Sequence, residues 1–237
     1  MKRYLRIVLS TVSMYVVSHI FVFLVLPIGL VLGVFNPASV QRLKPFFVKM
    51  LFRIVGKKVS ISGLQHIEQH HRYLIISNYP SFYTAFVLMS LFPEAAFVAA
   101  AFISRIPVLG HFMRQNGVMF VDKKELKKTR QVMDEALEGD TLGSVIILPE
   151  GQRSPDGKIH PFKRGFVYLL RHSTLDLLPI TLNGFYKLKP VNRVYMDPDT
   201  ELEVLIHVPI SNDKVKELSD RELIETVEGI IEAPYRQ

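Results

Sequence analysis

The chain contains no cysteine, and its first 60 residues contain no acidic side chain. Without cysteine the protein forms no disulfide, binds no metal through thiolates and has no cysteine nucleophile. The eight histidines lack the spacing of a metal site on a helix or turn, so we expect no metal. No helix-turn-helix, zinc-finger or RNA-recognition pattern accompanies the formal charge of +7, so we expect no nucleic-acid partner.

The positive charge is concentrated in the first quarter of the chain. Residues 1–60 hold nine basic residues, whereas the rest of the chain holds 20 basic and 22 acidic ones. The same quarter is also the most apolar, and basic side chains that flank an apolar segment suit an anionic lipid surface. We therefore predict membrane lipid as a partner and a membrane location, with the remaining domain on the cytoplasmic face.

An uncharged apolar segment runs from Tyr15 to Phe35. Its length of about 21 residues matches the ~20 that a helix needs to cross a bilayer core. Pro27 and Gly29 also permit a helical hairpin that enters and leaves one leaflet, and both alternatives stay open. Residues 40–58 mix aromatic and aliphatic residues with cations, which predicts an interfacial helix. A basic-faced helix packed on the following domain is the alternative.

From residue 56 onward, short apolar runs alternate with longer amphipathic stretches, which is typical of an α/β fold. We predict an anchor with a basic interfacial helix at residues 1–55 and a single α/β domain at residues 56–237. The predicted strands are 59–62, 73–77, 95–101, 117–121, 144–148, 177–182 and 202–208. The predicted helices are 81–91, 123–138, 162–172 and 219–232, the last opening with the capping box Ser219 to Glu222.

Three polar or glycine-bearing blocks lie at or beside predicted strand ends, where open α/β sheets place their ligands, and a fourth block is a strand that contains proline. In chain order they are Asn78-Tyr79-Pro80-Ser81-Phe82-Tyr83-Thr84, Gly117-Val118-Met119-Phe120-Val121-Asp122-Lys123, Leu148-Pro149-Glu150-Gly151-Gln152-Arg153-Ser154 and Leu178-Pro179-Ile180. The third is followed by Pro161-Phe162-Lys163-Arg164-Gly165. We interpret Asn78, Ser81, Gly117, Phe120 and Pro179 as residues that support these blocks, and Ser81 also as a helix N-cap.

These blocks resemble, in order and approximate spacing, those of the lysophosphatidate (1-acyl-glycerol-3-phosphate) acyltransferase family, over about residues 55–210. The third block is the most specific of the four. The resemblance implies a mixed central sheet flanked by helices and a membrane-bound enzyme. It further implies transfer of an acyl group from acyl-CoA or acyl-carrier protein to a lysophospholipid-type acceptor, without any other cofactor.

The resemblance also implies that the third block binds the phosphate of the acceptor. Its turn lets backbone N–H groups and a forked guanidinium converge on an anion. The implied phosphate-binding residues are Glu150, Gly151, Gln152 and Arg153, with Lys123 from the second block. The alternatives are an internal ion pair between Glu150 and Arg153, and a solvated Lys123.

The first block departs from the family at two positions. The family has Asn-His-x-Ser-x-x-Asp, in which the histidine is the base and the aspartate holds it, whereas this chain has Tyr79 and Thr84 at those positions. A tyrosine with a pKa near ~10 is a poor base at neutral pH, and loss of a general base costs about 10²–10⁴ in rate. We predict impaired catalysis. The alternative is a non-catalytic lipid-binding or regulatory protein.

Overall fold

The computed structural model describes residues 2–20, 27–29, 31, 37–115, 117–122, 124–137 and 143–237. Seven strands form one sheet: β1 Val59–Ser62, β2 Tyr73–Ser77, β3 Ala96–Ala100, β4 Met119–Val121, β5 Val145–Ile147, β6 Asp176–Asn183 and β7 Leu202–Ile206. All seven predicted strands are present, and their ends differ from the prediction by at most two residues. The runs that predicted them are bounded by glycine, proline and polar residues, which end strands.

The sheet is mixed, with the order β1-β7-β6-β2-β5-β3-β4. Strands β2 to β6 run parallel to one another, while β7 is antiparallel to β6 and parallel to β1. Five strands therefore end on the same side of the sheet. We call this side the carboxyl edge, and all four sequence blocks lie on or near it.

Nine α-helices surround the sheet within the described residues: α1 Lys2–Ile20, α2 Pro37–Ile54, α3 Tyr83–Leu91, α4 Leu109–Gln115, α5 Leu126–Leu137, α6 Gly165–Arg171, α7 Phe185–Leu188, α8 Asn212–Glu217 and α9 Asp220–Glu232. The four predicted helices correspond to α3, α5, α6 and α9. The capping box of α9 is confirmed, because Ser219 Oγ accepts the Glu222 N–H at 3.3 Å and the Glu222 carboxylate accepts the Ser219 N–H at 2.9 Å. Helices α4, α7 and α8 are too short to display a full amphipathic repeat.

One face of the sheet is covered by α1, α2, α3 and α7, and the other by α5, α6, α8 and α9. Helix α2 belongs to the first of these cores. Its Phe52 is 4% exposed, and the ring lies 5.8 Å from that of Tyr83 and edge-on to that of Phe185. Burial of a phenylalanine contributes about 1.5–3 kcal/mol. The structure therefore shows the alternative in which this basic helix packs on the α/β domain.

Helix α1 covers the first part of the predicted apolar segment, only as far as Ile20. Much of the segment between Ile20 and Phe35 lies outside the described residues. Among the residues that are described, no helix is both long enough and apolar enough to cross a membrane. Met14 and Val17 of α1 are buried against the domain, and Arg6 of α1 pairs with Asp199 at 2.7 Å. The division of the chain at residues 55 and 56 stays a prediction.

Candidate functional site

The backbone of Tyr79 is clamped between the first and third blocks. Its N–H donates to Glu150 Oε1 at 2.6 Å, and its carbonyl accepts the Ser154 N–H at 2.8 Å. Strand β2 lies beside β5 in the sheet, so the loops that leave these two strands begin as neighbours. The two hydrogen bonds then fix the position of residue 79 relative to the third block.

Glu150 is the buried link between three loops. Glu150 is 3% exposed. Its second carboxylate oxygen, Oε2, accepts the N–H of His160 at 3.1 Å. Burial raises the pKa of Glu150, and the two backbone N–H groups oppose that rise. Both oxygens face protein donors rather than solvent. Among the described residues no ion pair joins Glu150 to Arg153, so the alternative of an internal pair is not observed.

Asn78 ties the end of β2 to β6. Its Nδ2 donates to the Leu182 carbonyl at 3.0 Å, and its Oδ1 accepts the Leu182 N–H at 2.8 Å. The side chain thus continues the ladder between the two strands where the β2 backbone turns away. Ser81 is also buried, but Phe82 rather than Ser81 occupies the N-cap of α3. The N-cap interpretation of Ser81 was wrong, because its hydroxyl donates to the Lys189 carbonyl at 3.3 Å.

The side chains of Tyr79 and Thr84 have no hydrogen-bond partner in the part of the chain that the structure describes. Tyr79 is partly buried beside the core that contains α2 and α3. Burial raises the pKa of its phenol, which the nearby Arg153 opposes. Thr84 is completely buried, and its Oγ1 is one of the buried oxygens without a partner. A buried polar atom without a partner is uncommon and costs about 1–3 kcal/mol.

The loop of Gly151, Gln152 and Arg153 is exposed directly above Glu150. Gly151 adopts φ +67°, a left-handed conformation that favours glycine, and its N–H donates back to the Leu148 carbonyl at 2.9 Å. Within the described residues, neither the guanidinium of Arg153 nor the N–H groups of Gln152 and Arg153 have an acceptor. These donors belong to exposed residues of one loop and are not occupied by described residues, an arrangement that suits an anion.

The other predicted site residues have different surroundings. Lys123 lies outside the described residues. Gly117 has φ +71°, and Phe120 lies in β4 with the Arg114 guanidinium 5.9 Å from its ring centre. Pro179 is buried in β6 and pairs with Ile76, and its carbonyl accepts the His207 N–H at 3.0 Å. These three residues shape the strands that end at the carboxyl edge, and none reaches the Tyr79 loop by a hydrogen bond among the described residues.

Comparison with known proteins identifies the family. The profile of the Acyltransferase family matches residues 58–183, which is more than half of the chain. The chain belongs to the Acyltransferase family. The match includes all four blocks and the strands β1 to β6 that carry them. Family membership therefore accounts for the polar frame at the carboxyl edge.

Relatives in this Acyltransferase family include a chloroplastic 1-acyl-sn-glycerol-3-phosphate acyltransferase, BAT2, of Brassica napus, which is 30% identical over 165 residues, covering 69% of this chain and 48% of that protein. The human 1-acyl-sn-glycerol-3-phosphate acyltransferase alpha is 28% identical over 194 residues, or 77% of this chain and 66% of that protein. The chain spans about half the length of the first of these curated relatives.

A solved structure shares the fold of this Acyltransferase-family chain. The crystal structure of the 1-acyl-sn-glycerophosphate acyltransferase PlsC from Thermotoga maritima matches with a TM-score of 0.79, covering 98% of this chain and 95% of that one. The two sequences are 23% identical. At this identity the likeness establishes the α/β architecture with its mixed sheet and flanking helices.

Proposed function

We propose that this chain is a membrane-associated glycerolipid acyltransferase-family protein that binds an acyl donor and a lysophospholipid-type acceptor, and that transfers the acyl group slowly. The observation that carries the proposal is the contrast at residue 79. Its backbone is held by Glu150 and Ser154, while its side chain is a neutral phenol. The names of the relatives support 1-acyl-sn-glycerol-3-phosphate as the acceptor. The donor is acyl-CoA or acyl-carrier protein.

The proposed reaction requires a proton acceptor. An oxygen of the acceptor hydroxyl attacks the thioester carbonyl, so a C–O bond forms and the C–S bond breaks. The hydroxyl proton passes to a base, and the thiolate leaves and is protonated. A phenol whose pKa is raised by burial stays protonated at neutral pH, so Tyr79 does not accept the proton. Proximity and charge stabilisation by the anion-binding loop would support only residual turnover.

Restoring the base and its orienting acid tests the proposal. We expect Tyr79→His/Thr84→Asp to transfer acyl groups to 1-acylglycerol 3-phosphate about 10²–10⁴ times faster than the wild type. Tyr79→His alone is expected to gain less, because the imidazole then lacks a carboxylate. The matched control is Tyr79→Phe/Thr84→Val, which changes the same two positions without adding a base.

Two results distinguish the candidates. Wild-type turnover as fast as that of the restored variant would overturn impaired catalysis. The alternative is a non-catalytic lipid-binding protein, and the unpartnered hydroxyl of Thr84 favours it, because that hydroxyl can orient no neighbouring group in the described structure. Binding of the lysolipid without any detectable turnover, by either the wild type or the control, would support this alternative.

The surface of α1 supports membrane association. An exposed apolar stripe runs along one side of the helix at three- and four-residue spacing, and it consists of Leu5, Leu9, Val12, Val16 and Ile20, each at least 45% exposed. The same helix carries Lys2, Arg3 and Arg6 and no acidic residue. Such a helix lies in the membrane interface with its apolar side in the acyl chains. A spanning or hairpin anchor and the cytoplasmic placement of the domain stay predictions.

Co-sedimentation with vesicles that contain anionic phospholipid tests this association. We expect Leu9→Asp/Val12→Asp to lower the partition coefficient more than about 10-fold. Two aliphatic side chains that become buried in the bilayer contribute about 3 kcal/mol or more to binding. Val208→Asp is the control, because Val208 is 65% exposed just after the end of β7, outside this helix. Equal binding of the two variants would contradict a role for the α1 stripe.

A further inference from the structure

A loop after β6 brings Lys189, a residue outside the four sequence blocks, to the carboxyl edge. Helix α7 directly follows β6 and ends at Leu188, and Lys189 is the next residue. The hydroxyl of Ser81 donates to the carbonyl of Lys189 at 3.3 Å. This bond connects Lys189 to the first block, because Ser81 belongs to that block and lies two residues after Tyr79.

The ammonium of Lys189 has a donor to spare. It donates to the carbonyl of Pro190 at 3.3 Å and also to the carbonyl of Arg193. An ammonium carries three N–H donors, so one has no acceptor among the described residues and is available to a ligand. Burial, followed by the charges of Arg153 and Arg193, lowers the pKa of Lys189. The backbone contacts agree with this influence of Arg153, because its neighbour Ser154 donates to the Tyr79 carbonyl, two residues before the Ser81 that bonds to Lys189.

The charges around Lys189 are not neutralised by the protein. In the described ranges, no carboxylate forms an ion pair with Arg153, Lys189 or Arg193. Arg193 is held in place, because its guanidinium donates to the Leu188 carbonyl at 3.2 Å and lies 4.7 Å from the ring centre of Tyr195. Like charges held together repel unless an anion lies between them, and the anion then gains from both.

We propose that Lys189 is a second cation which, together with Arg153, binds the phosphate monoester of the lysophospholipid acceptor. The loop from Lys189 to Arg193 then forms the wall of the phosphate site that faces the third block. This inference rests on the phosphate-binding role that the proposed function gives to Arg153, and it adds a residue from a further region of the chain.

The segment after the loop contacts α1, which favours a phosphate that belongs to a lipid. Val194 follows the loop, and its carbonyl accepts the hydroxyl of Tyr15 at 3.1 Å. Two residues later, the N–H of Met196 donates to Thr11 Oγ1 at 3.1 Å. Both partners lie on α1, the helix with the exposed apolar stripe. The segment that follows Lys189 is thus connected to the helix that we propose lies in the membrane interface, where lipid phosphates are found.

Binding measurements with 1-acylglycerol 3-phosphate in neutral detergent micelles test the inference. We expect Lys189→Met to weaken binding about 10-fold, the loss typical of one charge-assisted hydrogen bond. Lys187→Met is the matched control, since Lys187 is exposed two residues earlier and the change in net charge is the same. Monoacylglycerol, which lacks the phosphate, should bind all three proteins alike.

Each result has a separate meaning. Equal affinities of Lys189→Met and Lys187→Met would overturn the inference, whereas an unchanged affinity of Arg153→Ala would overturn the proposed phosphate site itself. Lys189→Arg should keep the binding that Lys189→Met loses, which separates loss of charge from collapse of the loop. Glycerol 3-phosphate that binds as tightly as the lysolipid would overturn the assignment to a lipid phosphate.

Discussion

The site contains two groups of residues that differ in their hydrogen bonding. The frame, formed by Asn78 and Glu150, holds the loops together, whereas Tyr79 and Thr84 are the pair at the positions of the expected catalytic residues. In the frame, Asn78 and Glu150 use both side-chain polar atoms in hydrogen bonds to backbone groups of other segments. In the pair, the hydroxyl of Thr84 is buried without a partner, and the phenol of Tyr79 bonds to no described residue. One half of the site is a closed network, and the other half is a pair of isolated groups.

This difference teaches that the architecture of the site does not depend on its chemistry. The clamp on residue 79 uses only its N–H and its carbonyl, so every residue except proline offers the two groups that the clamp requires. Under the proposed function, tyrosine in place of a histidine at residue 79 leaves the proposed anion-binding loop intact and removes only the group that would accept a proton.

Breaking the frame at Glu150 should have the largest effect on stability. Glu150→Ala leaves the partly buried N–H groups of Tyr79 and His160 without their acceptors, at about 1–3 kcal/mol each. We expect a loss of about 3 kcal/mol in the free energy of unfolding by urea. Glu150→Gln keeps one acceptor oxygen and should lose about half as much. Losses below about 0.5 kcal/mol in both variants would refute the structural role of this carboxylate.

Removing an isolated hydroxyl should have a smaller and opposite effect. Thr84→Val replaces an unbonded buried oxygen with a methyl group of similar size, so we expect no loss, or a gain of up to about 1 kcal/mol. Thr181 is an equally buried control, whose hydroxyl donates to the Ile231 carbonyl at 2.9 Å. Thr181→Val should lose about 1–2 kcal/mol in the same urea unfolding experiment. A comparable loss in Thr84→Val would show that its hydroxyl has a partner.

The smallest effect concerns pH, because it is confined to alkaline conditions. Burial raises the pKa of Tyr79 above the value near 10 that it has in the unfolded chain. As pH rises past about 10, the unfolded chain loses this proton first, so the contribution of Tyr79 to stability declines with pH. Below that pH the contribution is constant.

Unfolding free energies of the wild type and Tyr79→Phe, measured between about pH 6 and pH 11, test this expectation. Tyr79→Phe should show a shallower decline above about pH 10. Tyr83→Phe is a useful comparison, since burial raises the pKa of Tyr83 to about 12 and its decline spans a wider range. A stability difference between wild type and Tyr79→Phe that changes between about pH 6 and pH 8 would mean that the phenol titrates near neutrality.

Strands were the most predictable part of the fold. The residues of β2, Tyr-Leu-Ile-Ile-Ser, are all buried, and the short length of this run, its β-branched residues and its polar flanks predict a strand. Short helices such as α7, with four residues, offer no periodicity from which to predict them. The interfacial helix predicted at 40–58 overlaps α2, but its burial depends on Tyr83 and Phe185, which are distant in sequence.

Within the site, the sequence predicted which residues take part better than it predicted their hydrogen-bond partners. The four blocks located the carboxyl edge, because strand ends and glycine turns are local features. The bonds of Asn78 to Leu182 and of Ser81 to Lys189 depend on the order of strands in the sheet, which no local pattern specifies. Lys189 was missed for this reason. The only signal was its place in a basic segment just after the last block.

The pairing of β2 with β5 and β6 also sets the order in which the site can form. The Tyr79–Glu150 bond joins residues 71 positions apart, and the Asn78–Leu182 bond joins residues 104 positions apart. During synthesis from the N-terminus, the first block therefore emerges long before either of its partners. Closing loops of this length slows folding, and the unpaired β2 is a hazard for aggregation until β6 arrives. We therefore expect the first block to gain its full set of partners only after β6 has been synthesised.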